Sequence, residues 1–207
     1  MSVEGGTASR KALLALALTI GYAALTIAIY LVHARWFPVA VVLYSAILDA
    51  ILAAAIMAVF LWLFARRTFT GLEKVLLVAV WLLGGYAFAV TGPTVLDRSL
   101  SFYILEKLQQ RGGGVREDAL GEIFATEYLP EFRLVDVRLT EQIESGTVVV
   151  EDGCVKLTPH GQQLASLSRF LRTHFLPKHR LLAGAYTDAL VDPFAASPEG
   201  PMGYECR

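Results

Sequence analysis

Up to about position 92 the chain alternates long apolar runs with short polar breaks, and beyond it the pattern becomes amphipathic. Arg10-Lys11 precede an uncharged run from Ala12 to Val32, close to the roughly 20 residues that cross a bilayer. The apolar core of a secretory signal is only about 7–15 residues. The run therefore reads as a retained span at about 12–32, behind a polar leader at 1–11. His33-Ala-Arg-Trp-Phe-Pro38 makes a turn, and further spans follow at about 39–65 and 75–92. Gly92-Pro93 should break the third span, with Thr94 capping a helix that continues from Val95 to Leu108 and ends at Gly112-Gly-Gly114. A second soluble helix runs from Val115 to Leu129, with Pro130 as its stop. A third runs from Val135 to Ser145 with Val137, Leu139 and Ile143 turned inward, and Gly146 closes it. Thr147–Val150 is β-branched, Glu151-Asp152-Gly153 is a turn, and Cys154–Leu157 is the return strand. Thr158-Pro159 starts a last helix, Thr as cap and Pro in the first turn, carrying Leu164, Leu167, Phe170, Leu171 and Phe175. The fold class is mainly α: a three-helix transmembrane bundle (12–93), then a small α/β-hairpin domain (94–182) and a tail (183–207) broken by Pro193, Pro198 and Pro201.

The order helix, helix, helix, hairpin, helix carries a resemblance. The stretch from Ile143 through Thr147-Val-Val-Val-Glu-Asp-Gly-Cys-Val-Lys-Leu-Thr-Pro-His-Gly-Gln-Gln-Leu-Ala165 resembles the wing and following helix of winged-helix domains of the MarR and PadR type. The resemblance covers roughly 99–176. It implies a winged-helix-like fold whose third helix enters the DNA major groove and whose wing touches the backbone. Here that helix offers Arg138 beside Glu141 and Glu144, and the wing tip is Glu151-Asp152. Phosphate binding needs clustered Lys and Arg, so nucleic acid is not an expected partner. The resemblance then implies a protein-contact module.

Charge divides the chain at the same place. Residues 1–96 carry six Lys/Arg and three Asp/Glu, and the remainder carries twelve and sixteen. Near the spans, Arg10, Lys11, Arg66, Arg67 and Lys74 lie on one face against Arg35, Arg98 and Lys107 on the other. The bias places the N-terminus in the cytoplasm of a plasma (inner) membrane and the C-terminal domain outside it. Cys154 and Cys206 are too few for a disulfide framework, and no Cys or His spacing suggests zinc. No cofactor motif occurs. His160, His174 and His179 have no spacing of a catalytic triad, and no catalytic residue is assigned.

Candidate binding residues lie in and beside the spans. Ala46, Ala50, Ala54 and Ala58 put a small residue at every fourth position of the second span, which either lets helices approach closely or is Ala-rich filler. Ala17 and Gly21, or Gly85 and Ala89, are the matching surfaces. Asp49 is the one acidic residue within the spans. It is either a proton, cation or partner site, or a protonated acid bonded to Ser45. Three spans place the 33–38 turn and the 91–98 junction on one membrane face, so His33, Arg35, Trp36, Asp97 and Arg98 form either a polar site for a lipid headgroup, a lipid-linked substrate or a partner loop, or an ordinary interfacial collar. The expected function is that of an accessory or scaffold subunit with membrane lipid and a membrane protein as partners. The alternatives are a membrane-tethered transcription regulator and a subunit of an enzyme acting on a lipid-linked substrate.

Overall fold

The computed structural model describes the backbone of residues 3–194 with Ser197, Gly203 and Cys206, and side chains from Ala8 onward. It is mainly helical and divides into two compact units, 1–134 and 135–207. The division falls inside the stretch 94–182 that the sequence pattern reads as one domain.

The first unit holds three helices long and apolar enough to cross a membrane: α1 (Val3–Trp36), α2 (Val42–Phe64) and α3 (Gly71–Thr91). Each is apolar around its whole circumference, as lipid-facing helices are. α2 supplies the inner surface, with Ala46, Ala50, Ala53, Ala54 and Leu61 buried, while Ala58 is half-buried. α3 meets it with Trp81, Gly85 and Ala89. A Cβ at Gly85 would run into the Tyr22 hydroxyl and lie 2.7 Å from the Cβ of Ala50. The small residues Ala50 and Gly85 leave room for close approach of α2 and α3, the kind of packing that holds helices together in lipid. On α1 the inward row is Leu18, Tyr22 and Thr26, whereas Ala17 and Gly21 face outward. Larger side chains fit there because Gly85 makes room for Tyr22, whose ring stacks on Trp81 at 5.7 Å. Hydrogen bonds complete the seam: the Tyr22 hydroxyl donates to the Ala50 carbonyl at 3.4 Å, and Trp81 Nε1 donates to Thr19 Oγ1 at 3.1 Å.

α3 starts at a capping box, in which Thr70 Oγ1 accepts from the Glu73 amide and Glu73 accepts from the Thr70 amide. Glu73 also receives Lys11 Nζ at 3.3 Å. At its other end the break is milder than the Gly92-Pro93 pair suggests. Pro93 occupies the first turn of α4 (Pro93–Arg98), where its missing N–H costs no hydrogen bond. Thr94 does not cap; its hydroxyl donates back to the Ala89 carbonyl at 2.8 Å. The chain turns instead at Ser99, extended at φ −81°, ψ 102°, which caps α5 (Leu100–Gln110) by accepting from the Phe102 amide. Asp97 and Arg98 thus stand in the last turn of α4 and not the first turn of a long helix.

After Gly112 and Gly113, both at positive φ, a 3₁₀ turn (Glu117–Ala119) leads into α6 (Leu120–Ile123), a π-helical turn (Phe124–Tyr128) and α7 (Leu129–Glu131). Pro130 does not stop this helix. The π turn widens the backbone just where proline lacks an N–H for the usual i−4 bond, and the helix ends a turn later at Arg133, φ 44°.

The second unit starts with α8 (Leu134–Glu144), whose first residue belongs to the first unit, and Gly146 (φ 68°) closes it. β1 (Val148–Glu151) and β2 (Cys154–Leu157) pair antiparallel, Val148 opposite Leu157, around Asp152-Gly153, both at positive φ. α9 (Pro159–Phe175) follows its Thr158 cap, whose hydroxyl oxygen accepts from the Gly161 amide at 3.0 Å. Gly161 is required by contact: a Cβ there would collide with the Thr147 carbonyl. Arg180–Leu182 (β3) and Ala185–Thr187 (β4) form a second hairpin across Ala183-Gly184, two successive residues at positive φ. That turn suits the twist of a two-residue hairpin, so 180–187 is a hairpin across the boundary at 182 beyond which the sequence reads as tail.

Candidate functional site

Asp49 lies one turn beyond Ala46 on α2, only 3% exposed. One of the sequence readings gave it Ser45, on its own helix, as a hydrogen-bond partner. The partner is instead His33, near the end of α1, whose Nδ1 lies 2.7 Å from Asp49 Oδ1. The antiparallel α1–α2 hairpin brings these residues together across 16 positions. The His33 ring also meets the edge of Phe37 at 5.8 Å. The other carboxylate oxygen of Asp49, Oδ2, is buried and accepts no hydrogen bond among the described residues. The pair sits at a cleft of about 460 Å³ whose remaining walls are apolar.

The junction group divides. Asp97 and Arg98 face each other at 3.9 Å, both partly exposed. Arg35 and Trp36 are exposed at the end of α1, and among the described residues no hydrogen bond or ion pair joins Arg35 to Asp97 or Asp49. His33 was grouped with this collar and is drawn inward to Asp49. The base for Asp49 was missed because it is remote in sequence, although a His and an Asp on either side of one short turn were a readable signal.

A second polar cluster, which sequence reasoning did not single out, joins α5 to the helical stretch 117–131. Lys107 Nζ donates to Glu131 at 2.8 Å and lies 2.9 Å from Glu127, and Arg111 donates to Glu127 at 2.9 Å. The Tyr103 hydroxyl donates to Glu131 at 3.1 Å, and its ring packs against Tyr128 and Phe132. Lys107 hydrogen bonds hold the carboxyls of Glu131 and Glu127 below the ordinary range, Arg111 adding to the effect at Glu127. The same contacts, Glu131 first, raise Lys107 above the ordinary lysine value. Burial raises the Tyr103 hydroxyl. Every charge here is answered by an opposite one, which makes the cluster a brace between helices.

In the second unit the stripe read as inward is only partly covered, Leu139 being half-buried. Val137 and Ile143 of α8 are exposed, and Glu141 of the same helix is buried against Arg138, at 2.6 Å. On α9, Leu164, Leu167, Phe170, Leu171 and Phe175 are all exposed, as are Val149, Val150, Val155 and Leu157 of the hairpin. Cys154 of β2 is disulfide-bonded to Cys206.

No family model, curated protein or solved structure matches the chain.

Proposed function

We propose that the protein is a multi-pass accessory or scaffold subunit of a larger membrane complex, with residues 135–207 as its protein-contact module. The observation that carries this reading is the uncovered apolar face of α9 and the β1–β2 hairpin. Contiguous apolar surface on a water-exposed unit marks an interaction site, and the phenylalanines Phe170 and Phe175 are the residue type that anchors one. Arg138, the base on the helix that would read DNA in a winged-helix protein, is engaged by Glu141, which supports protein contact over nucleic-acid contact. The extracytoplasmic side is supported by the five-to-three basic bias and by the Cys154–Cys206 disulfide, a bond that persists in oxidising compartments.

Purification in mild detergent tests the reading. The wild-type chain should elute with a stoichiometric membrane-protein partner, and the Leu167→Ser/Phe170→Ser double variant, at equal membrane level, should elute without it. A chain that elutes alone, or a variant that keeps the partner, contradicts the reading. Reporter fusions after Lys74 and after Lys107 should report cytoplasm and exterior respectively; a cytoplasmic Lys107 fusion overturns the orientation.

A further inference from the structure

The His33–Asp49 pair has a chemical consequence independent of any protein partner. A carboxylate at this burial is costly in a membrane unless its charge is balanced. Asp49 Oδ2 receives no hydrogen bond among the described residues, so the balancing group available to Asp49 is the proton that the pair shares across the 2.7 Å Nδ1–Oδ1 contact. A neutral imidazole donating from Nδ1 would leave the carboxylate's charge unbalanced and Nε2 a bare acceptor. The two arrangements that hold the extra proton are imidazolium beside carboxylate and acid beside neutral imidazole. In both arrangements the far ring nitrogen, Nε2, carries a hydrogen. Nε2 has no partner among the described residues, and the His33 side chain keeps 22% of its surface, lining the cleft. Holding that proton, the pair presents one N–H donor in an otherwise apolar cleft.

The cleft selects what can accept from it. Ile29, Val32, Phe37, Leu48 and Leu52 form its walls, and His33 and Asp49 are its ionisable residues. Val32, Phe37, Leu48 and Leu52 are all exposed on or beside candidate membrane spans, so the cleft opens toward lipid at the end of the bundle that carries the 33–38 turn. With its shared proton the pair is neutral, and no cation lines the cleft to balance a phosphate. The matching ligand is a lipid-soluble molecule whose head offers a neutral carbonyl oxygen. A flat head is favoured, because the aromatic ring of Phe37 lines the cleft beside His33.

We propose that this cleft binds the carbonyl head of a membrane-soluble ligand, a quinone or the ester of a glycerolipid, through His33 Nε2, with Asp49 as the positioning residue that keeps the donor protonated. The test uses the full chain in nanodiscs of ether-linked phosphatidylcholine, which lacks ester carbonyls, titrated with a photoreactive short-tailed quinone. Labelling should saturate at one quinone per chain and map to residues 28–52. It should weaken at least tenfold in His33→Phe, which keeps a ring but lacks the donor. It should weaken similarly in Leu48→Trp, which fills the cleft from a lipid-facing position and leaves the pair intact. Repeating the titration in ester-linked discs separates the sources. An unchanged affinity assigns the quinone, and an affinity at least tenfold lower assigns the acyl ester as the competing occupant of the same donor. Labelling that rises linearly without saturation, or that is equal in wild type and both variants, overturns the proposal.

Discussion

In the membrane bundle most inward positions are alanine, glycine and hydrogen-bonded aromatics, joined by Leu18, Leu61 and Phe69, while most of the leucine, valine and phenylalanine side chains look outward. Among the described residues of 135–207, only Glu141, Thr147 and Gly161 are buried, and the large apolar side chains again look outward. The same exposure means different things in the two places. On helices that cross a membrane it is solvation by lipid. On an amphipathic helix whose other face carries Gln162 and Arg169, it is the surface that we propose a protein partner covers. The bundle is specified by close contact from within, and the second unit by local turns, a cap and one disulfide.

Breaking each unit at its own kind of support should give the largest effects. Gly85→Leu forces a side chain into space held by Tyr22 and Ala50. Overpacking of this kind costs about 1–3 kcal/mol or more, so the variant should lose its folded bundle in detergent, read by thermal unfolding. Ala50→Leu should act in the same direction, and Leu52→Ile, on the lipid side, should leave the midpoint nearly unchanged.

Removal of the disulfide is next. Cys154→Ser should destabilise the second unit by about 2–4 kcal/mol, given the sequence separation of 52 between the cysteines. Limited proteolysis should then cleave beyond residue 135 while the bundle stays intact. Equal cleavage with and without the disulfide would show that the local elements suffice.

The Lys107 brace gives a pH signature within the first unit. Glu127 and Glu131 titrate below their ordinary value of 4.5. Their contribution is therefore complete above that pH and is lost as pH falls through the lower folded-state values. Lys107→Met should lower the thermal midpoint at neutral pH and flatten its acid limb. An acid limb that matches the wild type would remove the brace from the account. The smallest effect belongs to the cap of α9: Thr158→Ala should cost about 1 kcal/mol, as Oγ1 also donates to the Gly146 carbonyl at 2.8 Å.

Much of the fold is legible wherever local chemistry decides. The three spans follow from length and apolarity alone. The β1–β2 turn follows from Asp152-Gly153 and the start of α9 from Thr158-Pro159. The alanine row of α2 and its Gly85–Ala89 counterpart could be read from spacing, but the α1 row could not, since Tyr22 fits only because Gly85 is small. Pro130 misleads because a π turn accommodates it. The His33–Asp49 contact stays hidden because helical spacing relates residues on one helix, and this pair bridges two. The strands at 180–187 are missed because Ala183 gives no sign of the positive φ that it adopts.

The account turns on the contrast between lipid-covered and partner-covered apolar surface. A benzophenone side chain placed at Phe170, and separately at lipid-facing Leu83, tests it in native membranes under ultraviolet light. The account predicts a discrete protein adduct from position 170 and lipid adducts alone from position 83. Lipid adducts alone from both positions, or no protein adduct from position 170, would contradict it.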